Sequence, residues 1–186
     1  MEALFESIVT LQQLLRGEGL ASAVIGGIAV GVWGEPRVTR DVDLKVLLGR
    51  DGASRLLEII KSDYTALQSE PLQALSRTGI LFVRDRLGTR IDLLLSDTVF
   101  DREVVERAVS VEVEPGSTII VCRPEDLIIY KLISTRLRDH EDAAGVIRRQ
   151  GRTLDDRYVL DWLKQFELAL DDSTLVEEFE KLRRRI

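Results

Sequence analysis

After Cys122 the strand-length apolar runs of this chain give way to helical spacing alone, and that change limits the folds open to it. Up to Cys122 the apolar residues gather in runs of strand length: ASAVI ending at Ile25, VDLKVLL (42–48), ILFVRD (80–85), RIDLLLS (90–96), VSVEVE (109–114) and STIIVC (117–122). Segments of helical spacing lie between them. Residues 3–16 carry Leu4, Phe5, Ile8, Val9, Leu11 and Leu15 before Gly17 and Gly19 stop the pattern. Residues 26–33 read as a short helix ended by Gly34 and Pro36, and 51–61 and 98–107 as two more. Residues 62–78 carry no clear pattern. The Arg-Leu-Gly-Thr stretch before Arg90 marks a hairpin. After Cys122 the chain reads as helix almost to its end, over 124–137, 139–150, 155–169 and 173–184. Pro124 followed by Glu125 and Asp126 starts this part well, because proline tolerates the first turn and acids favour it. The expectation is an α+β chain, with a mixed β-sheet flanked by helices over 1–122 and a C-terminal helical tail, 123–186, packed on that core.

With 186 residues the chain can bury a sizeable core without disulfides, and its single cysteine, Cys122, excludes an internal one. Cys122 sits in an apolar run and reads as buried filler. The N-terminal MEALFESIV lacks a basic segment and reads as helix rather than signal peptide. The longest apolar-leaning run, ASAVIGGIAVGVW, is glycine-rich and too short to span a bilayer, so no membrane association and a cytoplasmic location are expected. A net charge of −6 argues against nucleic-acid binding over the whole surface. It leaves room for a local basic patch at Arg136, Arg138, Arg148, Arg149 and Arg152.

Chemistry concentrates in Gly26 to Val46, GGIAVGVWGEPRVTRDVDLKV. Asp41 and Asp43 stand at i and i+2, so on a strand both carboxylates share a face, with backbones about 7 Å apart. Asp92 is the single acid among Ile91, Leu93, Leu94 and Leu95 of a second strand. If the two strands pair, three carboxylates converge, and their repulsion needs a cation; a pair of Mg2+ ions is the usual solution in phosphoryl chemistry. The strand–Gly26-Gly27–helix turn would present backbone N–H groups at a helix N-terminus, which suits a phosphate. Taken singly, each feature has a plain reading. Gly26-Gly27 alone reads as a tight turn. Asp41 and Asp43 alone read equally as a solvated strand end. Asp92 is harder to dismiss, because its burial is costly without a partner. Jointly the three acids favour a metal site.

These residues resemble the polymerase-β-type nucleotidyltransferase superfamily: Gly26-Gly27, thirteen intervening residues, Asp41-Val42-Asp43-Leu44, and the later Asp92. Within it, RVTRDVDL is similar to the AbiEii-type abortive-infection group. PEDLIIYKLISTRLRDHEDAAGVI resembles that group's later motif, with Lys131-Leu132, Arg136, Asp139 and Asp142 in register and Arg138 where a lysine is usual. The resemblance spans roughly residues 20–150 and departs from the wider superfamily in having Gly-Gly where Gly-Ser is common, which removes a hydroxyl contact to phosphate.

The resemblance implies a nucleotidyltransferase core at 1–122 and an NTP-dependent enzyme that uses Mg2+, two ions by analogy. Asp41 and Asp43 would bind both metals, and Asp92 the one that activates the acceptor hydroxyl, acting also as general base. Gly26, Gly27, Thr39 and Arg40 would contact the nucleotide, Lys131 its phosphates, and Asp139 would shape the site. The acceptor would be a tRNA, a protein or a small molecule such as an antibiotic, and a cognate antitoxin is an implied partner. The rival reading is a catalytically inactive relative that keeps the fold as a binding module. Lys131, in the apolar IIYKLI, reads equally as a lysine whose amine snorkels to water. Asp139 and Asp142 could be first-turn acids of a helix. Arg37 and Arg40 read equally as surface residues. His140 reads as solvated, and Trp33 and Trp162 as core.

Overall fold

The computed structural model describes residues 2–185. By its contacts the chain divides into two compact units, Met1–Ile28 with Val38–Cys122, and Ala29–Arg37 with Arg123–Ile186.

The first unit is built on seven strands: β1 (Ser22–Ile25), β2 (Asp41–Val46), β3 (Thr65–Ala66), β4 (Ile80–Arg84), β5 (Arg90–Leu95), β6 (Val109–Glu114) and β7 (Ser117–Val121). They form one mixed sheet in the order β3-β4-β5-β2-β1-β7-β6. β2 runs parallel to β5 and β1 parallel to β7; the other neighbours are antiparallel. One face of the sheet is apolar across β2 and β5. Val42, Leu44 and Val46 of β2 and Ile91, Leu93 and Leu95 of β5 are all buried, while the residues between them are mostly half-exposed. That alternation is the period-2 signal of a strand buried on one side. Ile8, Leu11 and Leu15 of α1 (Glu2–Gly17) and Leu56 and Ile60 of α3 (Ala53–Ile60) add to the core of this unit.

The unpatterned stretch 62–78 becomes the two-residue edge strand β3 and helix α4 (Pro71–Thr78). β3 is too short to show alternation, and its backbone pairing with β4 is what makes it a strand. α4 has proline in its first turn and ends on Gly79, whose φ of 71° is the left-handed conformation glycine adopts at no steric cost. Helix α5 (Val99–Glu106) starts with a capping box: Thr98 accepts from the Asp101 backbone N–H, and Asp101 from that of Thr98. Helix α2 (Gly26–Trp33) begins directly after β1.

Among the described residues the second unit holds α6 (Pro124–Leu132), α7 (Leu137–Gln150), α8 (Asp156–Leu170) and α9 (Leu175–Arg183), together with residues 29–33 of α2. Leu127, Ile128, Ile129, Val146, Ile147, Val159, Leu163 and Phe179 are buried in it. The first break comes earlier than the expected 137/138, at Ile133–Arg136. Ser134 accounts for it: its hydroxyl donates to Asp139 Oδ2 at 2.6 Å and its carbonyl meets His140 Nε2 at 2.5 Å. Such local bonds offer the backbone an alternative to the helical ladder. Trp33 and Trp162 are half-buried rather than core; Trp162 stacks against Phe166 with centroids 6.1 Å apart. Among the described residues no helix is long and apolar enough to cross a membrane.

Candidate active site

β2 begins at Asp41, so its side chains alternate Asp41, Asp43 and Lys45 on one face against Val42, Leu44 and Val46 on the other. The parallel register with β5 places Asp41 beside Arg90 and Asp43 beside Asp92. Paired residues share a face, so all three carboxylates lie on the half-exposed side of the sheet. Ile25, Asp43, Asp92 and Phe82 form one row across β1, β2, β5 and β4. The sheet thus brings Asp41, Asp43 and Asp92 together as expected, by a register that joins residues about fifty positions apart.

A cation the sequence reading passed over stands among them. Arg90 grips Asp92 with both arms of its fork, Nε to Oδ1 at 2.8 Å and Nη2 to Oδ2 at 3.0 Å. Its guanidinium lies 4.6 Å over the centre of the Phe82 ring. The Asp92 side chain is 15% exposed and that of Arg90 43%. The hydrogen bond to Asp92, with the fields of Asp92, Asp41 and Asp43, raises the Arg90 pKa still further. The signal was legible in principle: in RID the arginine and the aspartate are at i and i+2, on one face of a strand.

Gly26 has a specific reason to be glycine. Its φ is 60°, and a Cβ there would stand 1.8 Å from Asp43 Oδ2 and 2.6 Å from its Cγ. The residue therefore admits the Asp43 carboxylate against the backbone at the start of α2. Gly27 follows, buried, as the second residue of that helix. Thr39 directs its hydroxyl to Asp41, 3.2 Å from the backbone O and 3.3 Å from Oδ1. Arg40 is exposed, immediately before β2. Lys45, further along the same face, is buried and paired with Asp101 at 2.6 Å.

The donor set on this face suits a hard divalent cation, three carboxylates sharing one side of two adjacent strands. Among the described residues no three acidic, imidazole or thiol groups stand in a ligating arrangement. Both oxygens of Asp92 face Arg90 instead. The residues fit such an ion in kind and in face, with Arg90 as a competitor for the third ligand. A cavity of about 500 Å³ in this unit, lined by Gln12, Arg16, Ser22 and Ser117 among others, includes none of the three acids.

The second unit gathers the remaining candidates into a buried ion cluster. Lys131 Nζ contacts Asp139 and lies 3.0 Å from Asp142 Oδ2. Arg37 holds Asp142 with two bonds, at 3.0 and 3.1 Å. Arg136 and Ser134 both reach Asp139 Oδ2 at 2.6 Å. Burial opposes the Asp139 charge, but the hydrogen bonds from Lys131 and Ser134 win, and its pKa falls below the ordinary carboxylate value. Asp139 and Asp142 are therefore more than first-turn acids, and Lys131 keeps its ammonium inside rather than in water. Arg37 is likewise engaged. Within the basic stretch Arg148 pairs with Glu35 at the surface, and Arg149 donates to the Gly34 carbonyl. His140 is held at both ring nitrogens, by Glu178 at 2.5 Å and by Ser134, instead of being solvated.

No family model and no curated protein sequence matches this chain. Its fold is shared with nucleotidyltransferases. A nucleotidyltransferase-like antigenic protein of Paracoccidioides brasiliensis matches at 18% identity, covering 94% of this chain and 92% of its own, with a TM-score of 0.55. The antibiotic-resistance factor ANT(2'')-Ia matches at 11% identity over 91% of this chain and 95% of its own, TM-score 0.60. The lincosamide antibiotic adenylyltransferase LnuA, in its lincomycin-bound form, matches at 10% identity over 76% of this chain and 94% of its own, TM-score 0.52. The mixed seven-stranded sheet with its helices is thus a nucleotidyltransferase-like α+β fold.

Proposed function

We propose that this protein is a Mg2+-dependent nucleotidyltransferase that moves a nucleotide from an NTP to an acceptor hydroxyl and releases pyrophosphate. The observation that carries the reading is the β2/β5 register, which sets Asp43 directly beside Asp92 with Asp41 on the same face, in a fold shared with adenylyltransferases. Asp41 and Asp43 would hold divalent cations, with Asp92 completing the set. Such an ion, when bound, polarises the phosphoryl oxygens and lowers the pKa of an attacking hydroxyl. The acceptor oxygen bonds to the α-phosphorus, the bond to pyrophosphate breaks, and the hydroxyl proton passes to Asp92. The Gly26-Gly27 backbone would take phosphate oxygens at the start of α2, with Thr39 and Arg40 contributing to the nucleotide. By the resemblance, Lys131, which Asp139 holds, would be a phosphate contact.

A small hydroxylated acceptor is supported by the antibiotic adenylyltransferase among the matching folds. An RNA acceptor has less support from the net charge of −6. The AbiEii-type resemblance of RVTRDVDL and of the Lys131–Asp142 motif supports a place as toxin of a toxin–antitoxin pair, with a cognate antitoxin as partner. One observation favours the rival, a non-catalytic binding module: Arg90 already satisfies both oxygens of Asp92.

Calorimetric titration of each NTP, with and without Mg2+, into wild type and Asp43→Ala separates the two. Mg2+-dependent binding lost in Asp43→Ala is the expected result. Absence of binding by all four NTPs would overturn the enzyme reading in favour of the module.

A further inference from the structure

We infer that Arg90 is an exchangeable cation of this site: it holds Asp92 while no metal is bound, yields it to the incoming divalent ion, and then turns its fork to the phosphates of the bound NTP. The inference rests on the function proposed above.

Four observations lead to it. Arg90 is two residues from Asp92 on the same strand face and binds both its oxygens, at 2.8 and 3.0 Å. A divalent ion drawn to Asp92 would stand against the guanidinium charge already bound there, so the two cations compete for one carboxylate. The pair is accessible rather than sealed, since the arginine side chain is 43% exposed. The carboxylate is 15% exposed, so solvent and a hydrated ion reach the pair from the arginine side and can compete for it. The guanidinium also rests 4.6 Å over the Phe82 ring, in the row of Asp43 and Asp92. That ring gives it a second foothold, which keeps the charge at the site once Asp92 leaves. Finally, a guanidinium fork fits phosphate as well as carboxylate, so its donors need not be lost on release.

Arg90 would therefore oppose the metal and assist the nucleotide, two effects of opposite sign at one residue. An arginine that merely braced β5 would weaken both steps when removed. The test uses Mn2+ as the probe ion, followed by electron paramagnetic resonance without nucleotide, on wild type, Arg90→Gln, Arg90→Lys and Asp43→Ala. Arg90→Gln should bind Mn2+ about tenfold more tightly, the order expected when a unit positive charge leaves the neighbourhood of a divalent ion near a protein surface. At saturating Mn2+, the same variant should bind the preferred NTP about five- to tenfold more weakly, through loss of a charge-assisted contact. Arg90→Lys keeps the charge without the fork. It should leave Mn2+ affinity near wild type and recover only part of the NTP affinity.

Unchanged or weakened Mn2+ binding in Arg90→Gln overturns the inference, as does unchanged NTP affinity. If Arg90→Gln does not fold, Arg90→Lys decides: equal NTP affinity to wild type refutes the role of the fork. Mn2+ binding that depends on Asp43 but ignores Arg90 sinks the inference and leaves the enzyme reading standing. Absence of Asp43-dependent Mn2+ binding in any variant removes both.

Discussion

Replacing Gly26 by alanine should cost this protein more than the same change at Gly88, although both glycines have positive φ. At Gly88, φ is 84° and nothing lies within 4 Å of an added Cβ. The only penalty there is the left-handed backbone, roughly 1–2 kcal/mol for an L-residue. At Gly26 the backbone penalty is the same in kind, with φ at 60°, but the Cβ would also stand 1.8 Å from Asp43 Oδ2, 2.6 Å from Cγ and 2.9 Å from Cβ. Asp43 must then leave its rotamer or the start of α2 must shift, and an off-rotamer side chain alone costs about 0.5–1.5 kcal/mol. Gly26→Ala should therefore destabilise by about 2–3 kcal/mol, at least 0.5 kcal/mol beyond Gly88→Ala. Adding Asp43→Ala removes two of the three crowding atoms and should recover most of the excess. Urea unfolding followed by far-UV circular dichroism measures each midpoint, with equal slopes required for the comparison. Equal destabilisation by the two glycine substitutions would refute the close approach, and with it the view that Gly26 exists to seat the Asp43 carboxylate.

Other consequences can be checked on the same material. Lys45→Met strands the buried carboxylate of Asp101 without its ammonium and should cost about 3–5 kcal/mol in urea unfolding, the range for breaking one side of a buried pair. Burial opposes protonation of His140, but its hydrogen bonds to the Glu178 carboxylate and the Ser134 carbonyl raise its pKa above the ordinary value. That stabilisation is fully present below about pH 6.5 and is lost as pH rises through the higher folded-state pKa; a urea midpoint that does not fall over that rise, relative to His140→Gln, would refute it. The Asp139 pKa is lowered, so its contribution runs the other way, present above about pH 4 and lost as pH falls through the folded value. Asp139→Asn should flatten the acid limb of the stability curve. Lys131→Met leaves Asp139 and Asp142 facing each other without the ammonium between them, and should lower the urea midpoint.

Much of the local structure was legible because its causes are local. The period-2 runs of β2 and β5 announce one buried face, and Asp41, Asp43 and Asp92 fall on the other face by parity alone. The Pro-Glu-Asp start of α6 and the Ser22–Ile25 and Gly26–Trp33 boundaries follow from residue type in the same way. Residues 62–78 were illegible because β3 exists only through its pairing with β4. The break after Leu132 was misplaced because the polar contacts of Ser134 outweigh a helical pattern that continues past it.

What the chain's order of residues determined by itself is which groups share a face and where elements begin, since these depend on neighbours within a turn or a strand. What only tertiary structure decided is who meets whom. Parity cannot say that β2 lies beside β5 in a register that sets Asp43 against Asp92. It cannot say that Arg90 chooses Asp92 and Phe82, that Gly26 makes room for Asp43, or that Arg37 finds Asp142 across 105 positions. Those contacts belong to strand register and helix packing, which are set by the burial of whole apolar faces, and the chemistry of the polar residues is carried into place by them.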